Sequence, residues 1–263
     1  DVWRLQCHHL DKEVSPESVE LISHPQRSVA GFSVTRDGED PLIVWIEVNP
    51  PGRRLMARRM QDAEPTCLDD GALWSPSAVA ADGREKIVAW ENAGLIRMAR
   101  LDEKMQLRDE TAAKIPGRVL GHPDVACDGE NVYMVCQSNG TWGERTEHLN
   151  EDTRLHAFRW SGDGLEMSGG QPEGRIPVDT RSRFDVYRDE PPQDRRLPLA
   201  PRVVAEGAGR LRIFFRHFRD AQMNDWGWVL RCVESSPAGF SLPENVSPGA
   251  GYPDEQYDLL KRG

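Results

Sequence analysis

GHPDVACDGENVYMVC, residues 121–136, contains the clearest hairpin pattern in the sequence. An apolar run follows a proline, turns at Asp128-Gly129 and returns as a second apolar run, which is a strong hairpin signal. Related units occupy residues 34–45, 74–90 and 200–216. In every copy seven positions separate a turn glycine from the residue that ends the second strand: 38 to 45, 83 to 90, 129 to 136 and 209 to 216. This constant spacing indicates a structural repeat.

Each hairpin precedes a second, less regular β pair, whose first strand alternates apolar and polar residues. Period two is typical of a half-buried strand. The four copies are RRLMARRMQD (53–62), LIRMARLDE (95–103), TRLHAFRWSGDG (153–164) and WGWVLRCVESS (226–236). The repeat is therefore a four-stranded antiparallel meander of roughly 45–50 residues, the size of a propeller blade. We predict an all-β fold, a β-propeller with four-stranded antiparallel blades; a β-sandwich is the alternative.

The repeat divides the chain into one predicted propeller domain, residues 1–263. It contains a half-blade at 1–23, blades at about 24–73, 74–120, 121–198 and 199–247, and a terminal stub at 248–263. About five blades would form if the stub and the half-blade completed one composite blade. Alternatively, the chain is a fragment whose further blades are missing or lie on another chain, and we favour this interpretation. Long insertions at 138–152 and 168–198, with a shorter one at 219–227, place any functional site around the third and fourth blades.

Composition excludes some classes of partner. The net charge of −10 argues against nucleic acid, which needs a basic face. No apolar run approaches the ~20 residues of a membrane span. The five cysteines have no metal-type spacing, and we interpret them as small buried residues in preference to a disulfide between Cys127 and Cys136. The sequence assigns no metal site, and the cofactor is unknown.

Candidate ligand-binding positions come from a residue followed by proline at the start of the first strand of a blade. Four such pairs occur: His24-Pro25, Ser75-Pro76, His122-Pro123 and Ala200-Pro201, although Gly31 is an alternative equivalent in the first blade. In this feature the sequence resembles sialidase-like and arabinanase-like propellers, which place ligand groups here, and uronic-acid-acting propellers, including polysaccharide lyases, which use histidine. The resemblance implies a carbohydrate ligand in a central funnel. This sequence departs from it by lacking an acid before proline and a full S-x-D-x-G-x-x-T-W motif.

His122 is the leading candidate for catalysis, because a histidine that titrates near neutrality can remove a proton. The alternative is a histidine that hydrogen-bonds a neighbouring blade. Arg216 and Arg219 are candidates for binding a carboxylate, which a planar guanidinium suits. Tyr187 and His217 are the candidate proton donors. His24 and Trp142 complete the predicted substrate contacts, whereas His148 and His156 are interpreted as loop and strand-surface residues.

Together these residues predict a carbohydrate-active propeller that binds an acidic, uronic-acid-containing polysaccharide and cleaves it by β-elimination. Such a protein would be secreted or periplasmic. Two alternatives stay open. One is a non-catalytic lectin-like or protein-interaction propeller, and the other is the propeller portion of a larger enzyme.

Overall fold

The computed structural model describes residues 2–8, 19–49, 52–71, 74–81, 85–129, 131–140, 154–161, 164–167, 198–207, 209–219, 227–236 and 239–246. These residues form β-strands joined by turns, and none of them is helical. The strands are β1 Gln6–His8, β2 Val19–Leu21, β3 Ser28–Asp37, β4 Asp40–Asn49, β5 Gly52–Arg59, β6 Thr66–Asp69, β7 Trp74–Ala81, β8 Lys86–Asn92, β9 Leu95–Leu101, β10 Leu107–Ala113, β11 Arg118–Cys127, β12 Val132–Gly140, β13 Arg154–Ser161, β14 Gly164–Met167, β15 Pro198–Ala205, β16 Leu211–Arg219, β17 Gly227–Ser236, β18 Gly239–Phe240 and β19 Glu244–Asn245.

The strands pair as antiparallel meanders in chain order. The sheets are β1-β2, β3-β4-β5-β6, β7-β8-β9-β10, β11-β12-β13-β14 and β15-β16-β17-β18, and β19 also pairs with β17. Within the predicted half-blade, residues 1–23, the structure pairs Gln6–His8 of β1 with Val19–Leu21 of β2. Two compact units contain these sheets. The first is Asp1–Ala93 with Arg97–Thr111, and the second is Gly94–Ile96 with Ala112–Gly263.

The predicted hairpin turns are confirmed where the structure describes them. Gly38 has φ of 65° between β3 and β4, and Gly129 has φ of 86° between β11 and β12. A glycine adopts this left-handed conformation without the steric penalty of a Cβ. Asp128 Oδ1 accepts a hydrogen bond from the Asn131 amide at 2.7 Å and closes the second of these turns. The predicted turn at 82–83 lies outside the described residues.

In the first unit, the central strands β4 and β5 of the β3–β6 sheet bury side chains on both faces. One face packs on the β7–β10 sheet, and the other packs on the β1–β2 sheet. The first interface contains Leu42, Val44, Ile46, Leu55 and Ala57 against Val79, Val88 and Trp90, and the second contains Ile43, Trp45 and Met56 against Ile22, Leu5 and Cys7. The prediction of half-buried third strands is therefore wrong for the centre of β5, where four consecutive residues are buried. The same holds for β13.

In the second unit, a single core joins the β11–β14 sheet to the β15–β18 sheet. It is built from alternate residues of the central strands, because side chains on a strand alternate between its faces. Its main members are Tyr133, Val135, Leu155 and Ala157 from one sheet and Val203, Ile213, Phe215 and Val233 from the other. The neighbouring residues on those strands consequently point to the opposite faces.

The five cysteines are free thiols. Cys127 lies opposite Val132 in the β11–β12 ladder, so it does not face Cys136. Cys136 and Cys232 are buried, and burial raises the pKa of Cys232 to about 11 and that of Cys136 still further above its usual range. Both therefore stay protonated at neutral pH and pack as apolar residues. Cys67 departs from the prediction because it is exposed.

Candidate functional site

The two X-Pro pairs of the second unit form β-bulges at equivalent places. In β11, His122 and Pro123 lie between the ladder pairs Gly121–Gln137 and Asp124–Val135, so two residues oppose the single Cys136. In β15, Ala200 and Pro201 likewise oppose Phe215. Proline has no N–H to offer a ladder, which is why it is tolerated at a bulge. We call the edge of the second unit that contains these two bulges the bulge edge.

The residue before each proline has a left-handed backbone. His122 has φ of 51° and Ala200 has φ of 49°. This conformation costs a non-glycine residue about 1–3 kcal/mol and is retained only where the surroundings enforce it. Because alanine adopts it at the equivalent position, the conformation belongs to the bulge and not to the imidazole. The bulge fixes the direction in which the side chain at this position leaves the strand.

The His122 imidazole is largely buried, and burial lowers its pKa, with a further lowering from the positive charge of Arg202. Both effects disfavour the protonated ring. At neutral pH the imidazole is therefore neutral, with one nitrogen that can accept a proton. This is the form that a general base requires.

Asp124 and Arg202 each follow one of the bulge prolines and face one another across the two sheets. Asp124 is buried, and its Oδ2 accepts a hydrogen bond from the Val203 amide at 2.8 Å. Its Oδ1 lies 4.0 Å from Nη1 of Arg202, at the outer limit of an ion pair. Together these contacts tie β11 to β15 at the bulge edge. Neither residue was predicted, although the alignment of Pro123-Asp124 with Pro201-Arg202 places opposite charges at matching positions.

A second polar cluster joins β11, β12 and β13. Arg118 Nε donates to Ser138 Oγ at 2.6 Å, and Ser138 Oγ lies 2.7 Å from Nε2 of His156. Ser138 and His156 are completely buried. The interpretation of His156 as a surface residue is therefore wrong. The ring lies opposite Cys136 inside the β12–β13 ladder, where the register holds it among buried side chains.

Two other predicted site residues, Arg216 and His24, have side chains among the described residues. Arg216 lies on β16 and is buried, but Phe215 packs into the core shared with the β11–β14 sheet, so Arg216 points to the opposite face of its own sheet. The arginine that acts on His122 is Arg202. His24 is exposed in a turn of the first unit, where its Nδ1 accepts the Gln26 amide at 3.2 Å. The register shift of β3 falls between Val29 and Gly31, which favours the alternative alignment over His24-Pro25.

Four predicted site residues have side chains that the structure does not describe. The backbones of His217 and Arg219 lie on β16 opposite Pro198 and Gly227. Their side chains, and all of Tyr187 and Trp142, lie outside the described residues. Within the described part of the chain, no group of three or more His, Cys, Asp and Glu side chains is arranged to hold a metal ion. Nor do these ranges include a helix long and apolar enough to cross a membrane.

The first unit contains a buried carboxyl group, that of Glu91. Glu91 is 9% exposed, and burial alone raises its pKa to about 7. The neighbours of Glu91 on β8, Trp90 and Asn92, point to the other face of the strand. There Trp90 Nε1 and Asn92 Nδ2 both donate to Asp69 Oδ2, at 2.6 and 2.9 Å. Glu91 is thus held on a rigid strand in an environment that favours its neutral form.

No protein-family model matches the sequence, and no curated protein matches it. Solved structures do align with it. A GH43 protein, BlXynB, from Bacillus licheniformis gives a TM-score of 0.53 at 13% identity, over 91% of this chain and 51% of that one. A subtype N11 neuraminidase-like protein of the A/flat-faced bat/Peru strain gives 0.51 at 11% identity, over 80% and 50%. A prolyl endopeptidase gives 0.54 at 14% identity, over 94% and 32%.

At these identities the likeness concerns the fold alone, and these neighbours are of propeller type. The fold is a β-propeller. Its blades are four-stranded antiparallel meanders, as the repeat predicted. The chain spans about half of the GH43 and neuraminidase-like chains and about a third of the prolyl endopeptidase.

Proposed function

We propose that this protein is a carbohydrate-active propeller that binds an acidic, uronic-acid-containing polysaccharide and cleaves it by β-elimination. The observation that carries the proposal is His122: a largely buried imidazole, held by a bulge and kept neutral by burial and by Arg202. The names of two fold neighbours, a GH43 protein and a neuraminidase-like protein, are consistent with a carbohydrate ligand. A polysaccharide substrate lies outside the cell, so we propose a secreted or periplasmic location.

The reaction requires a base, a group that neutralises the uronate carboxylate, and an acid. His122 takes the proton from C5 of the uronate; the electron pair forms the C4=C5 double bond, and the C4–O bond breaks. Arg216 or Arg219 neutralises the carboxylate, which stabilises the enolate that develops. Tyr187 or His217 protonates the leaving oxygen. His24 and Trp142 remain predicted substrate contacts.

The test is a lyase assay on polygalacturonate that follows the ultraviolet absorbance of the unsaturated product. His122→Asn is the informative variant, because asparagine tolerates a left-handed backbone and so preserves the bulge while removing the base. General base catalysis is worth about 10²–10⁴-fold, so the rate should fall by that factor. Arg159→Gln, at an exposed arginine paired with Glu166 on β14, is the control and should retain the rate. An active His122→Asn protein would remove His122 from the mechanism.

The second candidate function is a non-catalytic lectin-like or protein-interaction propeller. A multivalent lectin would be supported by near-equal ligand positions in several blades. The bulge positions instead have Ser75, His122 and Ala200, which differ in chemistry. This asymmetry favours one specialised site. Binding of an oligosaccharide by the wild-type protein without any unsaturated product would support the binding module.

A further inference from the structure

Arg202, on β15 of the second unit, is loosely held by its neighbours. Its side chain is 26% exposed. Across the described ranges, its one ion pair is the long contact of 4.0 Å with Asp124. A guanidinium has five N–H donors arranged as a planar fork. Most of the hydrogen-bonding capacity of Arg202 is therefore open to a ligand.

Arg212, on the same sheet, shows the contrast. Its guanidinium contacts Glu206 at 3.2 Å and Glu234 at 2.8 Å. Two carboxylates thus compensate its charge. Its side chain, 40% exposed, is more accessible than that of Arg202 but is already paired. Arg212 therefore serves as a matched control for Arg202.

Asp124 restricts the position of the Arg202 side chain. Because Asp124 is buried and bonded to the Val203 amide at 2.8 Å, its position is fixed. Its Oδ1 attracts Nη1 of Arg202 toward the bulge of β11, where His122 lies two residues before Asp124. The charge of Arg202 consequently acts at His122. A neutral imidazole beside a guanidinium forms a pair of hydrogen-bonding groups suited to an anion.

We propose that Arg202 and His122 form a binding position for the carboxylate of a ligand, with Asp124 as the positioning residue that directs Arg202 toward it. The proposal rests on the proposed function and refines it: Arg202, not Arg216 or Arg219, neutralises the uronate carboxylate. An acidic ligand approaching a protein of net charge −10 needs such a local cation. The fork geometry of arginine favours a planar carboxylate over a neutral sugar or an ester.

The experiment is an NMR titration of the His122 ring signals with galacturonate, its methyl ester and acetate, at low salt. Wild-type protein should respond to the two carboxylates and not to the ester. Arg202→Gln should weaken the response to galacturonate by about tenfold or more, as expected for loss of a charge-assisted pair. Arg212→Gln should match the wild type. Arg202→Gln should also raise the pKa of His122, which verifies that the two groups are neighbours.

The outcomes separate this proposal from the proposed function. If carboxylates perturb His122 in an Arg202-dependent way but no polymer is cleaved, the carboxylate position stands and the lyase function fails. If polygalacturonate is cleaved but Arg202→Gln binds galacturonate as the wild type does, the function stands and Arg202 is not its anion contact. An equal response to the methyl ester, or none to any carboxylate, overturns the proposal.

Discussion

Replacing Glu91 by glutamine should stabilise the protein at neutral and alkaline pH. Glutamine has nearly the same shape as a protonated glutamate but cannot ionise. The folded protein holds the Glu91 proton up to a pKa of about 7, against an ordinary value of 4.5, because burial penalises the charge. This difference in pKa corresponds to about 3 kcal/mol of stability, which is fully present below pH 4.5 and lost as pH rises to 7. The residue is only 9% exposed, so solvent screening reduces this figure little.

Urea denaturation of both proteins at about pH 4.5 and about pH 8 measures the effect. The two should be similar in stability at the lower pH, and the glutamine variant should be more stable by about 3 kcal/mol at the higher pH. Glu47→Gln is the matched control, because Glu47 is also buried but pairs with Arg27 at 2.7 Å. This substitution should destabilise the protein by about 1 kcal/mol at pH 8, because the charge-assisted hydrogen bond that Arg27 donates becomes a neutral one. A Glu91→Gln effect that is the same at both pH values would refute the reasoning.

Two further predictions concern the polar contacts of the second unit. Asp124→Ala should destabilise the protein by about 1–3 kcal/mol in urea denaturation, because the Val203 amide loses its acceptor; Asp124→Asn, which retains an acceptor oxygen, should recover much of this loss. Ser138→Ala should cost about 1–3 kcal/mol, because it removes the hydroxyl that Arg118 and His156 share, and full retention of stability would show that water replaces it.

The fold was predictable because its signals are local. A turn glycine and a strand end at constant spacing specify each hairpin, and Gly38 and Gly129 have the positive φ that this pattern requires. The burial of the third strands was not predictable in the same way. Arg58 interrupts the apolar run of β5 yet is buried, since its guanidinium donates to Glu20 and to the Asp62 carbonyl. Period two in a sequence shows alternation of polarity, but contacts between sheets determine which polar residues are buried.

The site was predictable only in part. His122 could be found from its place before the bulge proline. Its interaction with Arg202 could not be read from either hairpin alone, because the contact that joins the two strands links Asp124 to Val203, which is 79 positions away in the sequence. Arg216 was favoured because a planar guanidinium suits a carboxylate, but strand alternation directs it away from the core shared by the two sheets. His156 was misassigned because its hydrogen-bonding partner, Ser138, lies on a neighbouring strand.

The X-Pro bulge allows the residue before the proline to be substituted during evolution. The residue before the proline lies outside the regular pairing of its strand, so replacing its side chain disturbs few backbone hydrogen bonds. The same scaffold position holds an imidazole in one blade and a methyl group in the next. Selection can thus exchange one reactive group for another there while the surrounding architecture is inherited intact.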